Sequence, residues 1–78
     1  MKPEVIIYTA PLCGNCVRAK KFLADKGIAF TEKSILIPKN FTERLKLLNK
    51  PGGPLTVVGE LMLMGFSLEE FEEVFKDF

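Results

Sequence analysis

Apolar residues come in short bursts along this chain, and the spacing within each burst predicts an element. The run Val5-Ile6-Ile7-Tyr8 is continuously β-branched and aromatic, the pattern of a strand buried on both faces. Thr9 to Leu12 follows as a loop broken at Pro11. From about Gly14 to Lys26 the period lengthens. Cys16, Ala19 and Leu23 recur at helical spacing with Phe22 beside them, while Arg18, Lys20, Lys21 and Asp25 mark a polar face. Gly27 stands where a left-handed helix cap is needed. Ile28 to Lys33 alternates partially and predicts a second strand.

Beyond Pro38, Asn40 is expected to cap a helix, with Glu43 three residues on and Phe41, Leu45 and Leu48 as one apolar stripe. That helix ends before Lys50–Pro54, the most turn-rich segment of the chain. Leu55–Val58 and Leu61–Met64 flank Gly59-Glu60, the signature of a type II′ hairpin. Ser67 and Glu70 then form a capping box ahead of a last helix with Leu68, Phe71, Val74, Phe75 and Phe78 on one side. The order is β-α-β-α-β-β-α. Its first crossover demands a parallel, right-handed pair and its hairpin adds antiparallel strands. The expected fold is α/β, a mixed four-stranded sheet with three helices. No repeat, low-complexity tract or linker interrupts it, so residues 1–78 are expected to form a single domain.

A chain of 78 residues is close to the lower limit for a self-sufficient core. With 47% apolar and 27% charged residues it reads as globular. A net charge of +1 with interleaved signs points away from nucleic acid and from anionic membranes. The longest apolar run is far too short to cross a bilayer, and Met1-Lys2-Pro3-Glu4 leads into no secretory core. A monomer in the reducing cytoplasm is the expectation. There, a lone close cysteine pair is more often catalytic or metal-binding than a permanent staple.

That pair is Cys13 and Cys16, in Tyr8-Thr-Ala-Pro-Leu-Cys-Gly-Asn-Cys-Val-Arg-Ala-Lys20. Cys13 falls at the end of the loop and Cys16 in the first helical turn. The first amides of a helix lack internal partners and carry the positive end of its dipole. A thiolate at Cys13 is therefore expected below the free value of about 8.5. Residues three apart at a helix start can also close a disulfide. Cys13, the more exposed, is the expected nucleophile, and Cys16 the thiol that resolves the mixed disulfide. The chain contains no histidine, which excludes a Cys-His hydrolase and a Cys/His zinc site. Two thiolates alone leave a tetrahedral metal half-coordinated, so no metal site is assigned within one chain. Arg18, Lys20 and Lys21 are expected on a solvated helix face, with added positive potential near Cys13 as the sharper reading. Tyr8 is expected to pack beside the cysteine loop. Met64 and Phe66 at the rim offer part of an apolar docking patch.

The sequence resembles the glutaredoxins and the NrdH-type redoxins of the thioredoxin-like superfamily over nearly its whole length. The segments that carry the resemblance are Val5-Ile-Ile-Tyr-Thr-Ala-Pro-Leu-Cys-Gly-Asn-Cys-Val-Arg-Ala-Lys-Lys-Phe-Leu23, Gly52-Gly-Pro-Leu-Thr-Val-Val-Gly-Glu60 and Gly65-Phe-Ser-Leu-Glu-Glu-Phe71. The resemblance implies a glutaredoxin-like thiol–disulfide oxidoreductase acting on protein or mixed disulfides, with Cys13 and Cys16 as its catalytic couple. Ribonucleotide reductase is the electron acceptor that the redoxin analogy suggests. It implies a cis proline at Pro54, with Gly53 free to pair with an extended substrate, and Leu12 and Gly14 as further substrate contacts. Gly65, Phe66 and Ser67 match the turn that receives the γ-glutamyl carboxylate in glutathione users. No bound cofactor is implied; glutathione or a flavin-dependent thioredoxin reductase supplies electrons. The chain departs from the glutathione users where Met64 replaces a glycine, Ala10 a lysine, Gly14-Asn15 an aromatic-bearing dipeptide, and Gly52-Gly53 a Thr-Val. These departures favour thioredoxin reductase. Two other readings share the resemblance: an iron–sulfur carrier bridged by cysteine and glutathione as a dimer, and a thiol redox sensor akin to the arsenate-reductase-like proteins.

Overall fold

The computed structural model describes residues 3–50 and 52–78. Met1, Lys2 and Pro51 lie outside the described residues, and with them part of the opening segment and of the turn expected at Lys50–Pro54. The elements are β1 (Val5–Thr9), α1 (Gly14–Asp25), β2 (Thr31–Ser34), α2 (Pro38–Leu47), β3 (Leu55–Val58), β4 (Leu61–Met64) and α3 (Leu68–Phe75). The strands form one mixed sheet in the order β2-β1-β3-β4. β1 pairs parallel with β2 and antiparallel with β3, and β3 pairs antiparallel with β4. This is the mixed four-stranded sheet with three helices that the order of elements predicts, in the thioredoxin-like arrangement that the family resemblance implies.

Flanked by strands on both sides, β1 has Ile7 fully buried and Val5 and Tyr8 nearly so. One face of the sheet packs against α1 and α3. Val5, Ile7, Val58 and Leu63 meet Ala19 and Leu23 of α1 and Phe71 and Phe75 of α3. Burying side chains of this size stabilises by roughly 1.5–3 kcal/mol each. The aromatic positions of α3 continue the core: Phe71 packs edge-on to Phe22 at 5.5 Å between ring centres, and to Phe66 at 4.7 Å. On the alternate face of β1, Tyr8 reaches α2, donating its hydroxyl hydrogen bond to Glu43 at 3.2 Å. The ring was expected beside the cysteine loop; strand alternation carries it to α2 instead.

Gly27 adopts φ +68, donates to Ala24 O at 3.0 Å, and is followed by Ile28 donating to Leu23 O at 2.9 Å. These two bonds make a Schellman cap. They also explain a correction. The second strand starts at Thr31 rather than Ile28, because the Ile28 amide is already spent on the helix end. At the hairpin, Val58 pairs with Leu61 and Gly59 takes φ +62, consistent with the expected type II′ turn.

α2 departs most from expectation. It begins at Pro38 with Ile37 as its N-cap, and Asn40 donates its side-chain amide to Ser34 O at 3.0 Å instead of capping. Proline at the first helical position needs no amide partner, so the helix starts without a polar cap. The stripe Phe41, Leu45 and Leu48 does not enter the core: Phe41 is 44% and Leu45 37% exposed, whereas Arg44 is 4% exposed.

Candidate functional site

The site forms at the junction of β1 and α1. The chain leaves β1 at Thr9 and turns through Ala10–Leu12 before entering α1 at Gly14. Leu12 has φ +54, the one positive value at a non-glycine position among the described residues, and its side chain is fully exposed. A bulky L-residue rarely adopts this backbone. Here it lets the chain reverse in one step and projects an apolar side chain from the lip of the site.

Cys13 is the N-cap of α1. Its backbone is extended, and its Sγ accepts the Cys16 amide N–H at 3.1 Å. Sulfur thus stands where a serine or aspartate oxygen usually takes an orphan donor of the first turn. The same amide and the helix dipole would stabilise negative charge on that atom in the reduced protein. Cys13 is half-buried and Cys16 only 2% exposed. Their Cα atoms are 5.2 Å apart and their sulfurs are joined as a disulfide.

Beside the disulfide opens a shallow cleft of about 360 Å³, walled by Leu12, Gly14, Val17, Lys20 and Glu32 together with both cysteines. Glu32 accepts hydrogen bonds from Thr9 Oγ1 at 2.9 Å and Lys20 Nζ at 3.1 Å. These partners, Thr9 first, hold its carboxyl below the ordinary carboxylate range. Lys20 is therefore an ion-paired wall of the cleft rather than part of a bare solvated face. Lys21 matches the solvated reading, pairing at the surface with Asp25 at 2.8 Å. Between β2 and α2, Lys33 Nζ lies 3.0 Å from Glu43 and holds that carboxyl low as well. Burial leads in pushing the Tyr8 hydroxyl up.

The segment before β3 faces the disulfide from the other side. The Gly53–Pro54 peptide is cis, and Pro54 is buried. A Cβ on Gly53 would lie 3.8 Å from Cys16 Sγ, in ordinary contact, so the Gly53 backbone lies close beside the buried sulfur. Gly65, at φ +78, donates its amide to Pro54 O at 2.8 Å and ties the turn before α3 to this segment. Leu12, Gly14, Gly53, Pro54 and Gly65 are thus gathered around the cysteines or joined to the segment beside them. Phe66 and Ser67 are otherwise engaged: the Phe66 ring packs on Phe22 and Phe71, and Ser67 Oγ accepts the Glu70 amide as the N-cap of α3. Among the described residues no group of three or more His, Cys, Asp and Glu side chains is placed to hold a metal ion, and no helix is long and apolar enough to cross a membrane.

Sequence reasoning missed Arg44. Its guanidinium donates to Leu48 O at 2.7 Å, Lys50 O at 2.6 Å and Gly52 O at 2.7 Å, tying down the chain that leads into Gly53-Pro54. The signal was present: Arg44 falls three residues after Phe41 and four before Leu48, on the very stripe expected to be buried.

Comparison with known proteins agrees with this geometry. The family model described as Glutaredoxin matches residues 5–61. Glutaredoxin 1 of Rickettsia conorii is 38% identical over 55 residues, covering 68% of this chain and 51% of that protein. The chain thus spans about half the length of the first curated relatives it matches. Among solved structures, a glutaredoxin from Brucella melitensis has a TM-score of 0.70 at 31% identity, over 94% of this chain and 85% of its own. The NrdH-redoxin of Escherichia coli has a TM-score of 0.77 at 22% identity, over 91% and 93%, a likeness of fold.

Proposed function

The chain belongs to the glutaredoxin family, and from that premise we propose that it is a small thiol–disulfide oxidoreductase working through Cys13 and Cys16. The observation that carries this reading is the half-buried Cys13 sulfur at the N-cap of α1, accepting the Cys16 amide. In the reduced protein the Cys13 thiolate attacks one sulfur of a substrate disulfide. The first substrate thiolate leaves and takes a proton from water. Cys16, deprotonated in turn, attacks Cys13 Sγ, releases the second substrate thiolate and closes the Cys13–Cys16 bond. Two electrons pass to the substrate, and the protein ends in the disulfide form described above. The Gly53 backbone and exposed Leu12 flank the reacting sulfurs and hold the substrate chain in extended form.

The returning electrons come from a flavin-dependent thioredoxin reductase rather than from glutathione. The acidic first turn of α3, Glu69 and Glu70, supports this choice, because it opposes a carboxylate at the helix start where glutathione users bind one. The Ser67 hydroxyl, engaged as a cap, supports it as well. The solved NrdH-redoxin of like fold is itself described as having a thioredoxin-like activity profile. Protein disulfides are the substrates, that of ribonucleotide reductase among them.

The test is insulin reduction with NADPH and either thioredoxin reductase or glutathione reductase plus glutathione. Turnover is expected with the first pair. Cys13→Ser is expected to abolish it, and Cys16→Ser to trap a mixed disulfide visible by mass. Full dithiol turnover by either variant overturns the assignment, and turnover with glutathione alone overturns the choice of reductant.

A further inference from the structure

Arg44 is a buried charge that the thiol chemistry does not use. It is 4% exposed, and its described partners include no carboxylate. Burying a cation without a counter-ion is costly unless its donors are all well placed. Here the donors of both Nη atoms are: Nη1 serves Leu48 O and Lys50 O, and Nη2 serves Gly52 O, each at 2.6–2.7 Å, the short lengths of charge-assisted bonds. Met64 closes the arrangement from β4, its Sδ 3.6 Å from Nη2. Its Cε would stand 3.2 Å from a Cβ on Gly52, which also needs φ +107. A side chain at position 52 is therefore strained by its backbone, and Met64 Cε would have to give way by a few tenths of an ångström. One residue further, the Gly53 backbone lies close to Cys16 Sγ, 3.8 Å from where a Cβ would stand.

We propose that Arg44 is the positioning residue of the disulfide site. By clamping the Lys50 and Gly52 carbonyls it fixes the place of Gly53 beside Cys16, and so sets how well an extended peptide docks for exchange at Cys13. This rests on the thiol–disulfide reading above. A small thiol reaches Cys13 without the clamp, whereas a peptide lying along Gly53 depends on it. In the exchange, a peptide thiolate attacks Cys13 Sγ, the Cys13–Cys16 bond breaks, and Cys16 leaves as a thiolate that takes a proton from water. A second peptide thiolate then attacks the peptide sulfur of the mixed disulfide and frees Cys13. Two peptide thiols become one peptide disulfide, and the protein gains two electrons.

The experiment compares oxidised wild type, Arg44→Lys and Arg44→Met by acid-quenched chromatography. Each is reduced by dithiothreitol and, separately, by an extended hexapeptide with a central cysteine. Arg44→Met is expected to slow the peptide reaction about tenfold, short of the roughly hundredfold that a misplacement of about 1 Å can cost. Arg44→Lys is expected to recover part of that loss, and the dithiothreitol rate is expected to stay within about twofold throughout. Peptide and dithiothreitol rates falling together would mean that Arg44 shapes the disulfide itself, and would overturn the proposal. So would an unchanged peptide rate in a folded variant. Should Arg44→Met fail to fold, the ratio of the two rates in Arg44→Lys decides. Insulin turnover by wild type separates the two readings: if it proceeds while Arg44→Lys keeps the wild-type peptide rate, the Arg44 role fails and the redox function stands.

Discussion

Thr56 carries a hydroxyl into the middle of the sheet. It is fully buried, it pairs across strands with Ile7 and Leu63, and its Oγ1 has no hydrogen-bond partner among the described residues. An unsatisfied buried hydroxyl costs on the order of 1–3 kcal/mol. Thr56→Val keeps the shape and removes the orphan, so it is expected to raise stability by about 1 kcal/mol. Chemical denaturation reads this directly, and a loss of stability would mean that the hydroxyl has a partner after all. Thr56 also illustrates what single residues conceal. A threonine between Leu55 and Val57 reads as any strand residue, and an arginine on a helix reads as solvated, because residue type reports average solvation. Arg44 departs from that average because the inward carbonyls of Leu48, Lys50 and Gly52 replace hydrogen bonds that its guanidinium gives up with water.

At the scale of elements, periodicity located every strand and helix, and the errors fell at their ends. β2 begins later than its hydrophobic pattern suggests because Ile28 serves the cap of α1, and α2 begins earlier than Asn40 because Pro38 starts it unaided. Ends are decided by hydrogen bonds that hydrophobicity does not encode. The cap of α1 offers a clean measure of such a bond pattern. A Cβ at Gly27 would meet nothing within 4 Å, so Gly27→Ala tests the left-handed backbone alone. The expected cost is about 1 kcal/mol, read as a lower denaturation midpoint with an unchanged slope. No cost would mean that the cap rearranges freely. The cysteine pair at the head of α1 was legible from spacing. The cis peptide at Pro54 was legible only through family likeness, since nothing local to Gly52-Gly53-Pro54 distinguishes cis from trans.

For the whole molecule, two of the four ion pairs among the described residues join different elements, Lys20–Glu32 and Lys33–Glu43. Glu32 ties β2 to Thr9 and Lys20, and Glu43 ties α2 to Lys33 and Tyr8. Both carboxyls are held low, Glu32 chiefly by Thr9 and Glu43 chiefly by Lys33. A folded-state pKa below the unfolded value of about 4.3 gives stability that is present above that value and lost as pH falls through the folded one. Lys33 is raised by Glu43, so its share is present at neutral pH and lost only as pH rises past the lysine range, above about 10.4. With no histidine in the chain, the melting temperature of the oxidised protein is expected to hold level near neutrality and to fall below about pH 4. Glu32→Gln should flatten that fall while lowering the neutral value slightly. An unaltered acid limb in this variant would remove Glu32 from the account.

The N-cap of α1 has a consequence for how this protein can change. Helix starts favour serine, threonine, aspartate and asparagine, whose oxygens accept amide hydrogens better than sulfur does. Cys13 occupies that place, and its Sγ makes the capping bond to Cys16. Selection for the cap alone would favour serine here, and that single substitution would remove the thiol–disulfide couple proposed above. The atom that starts the helix is also the atom proposed to carry the electrons, so selection for robustness and selection for activity pull on this position in opposite directions.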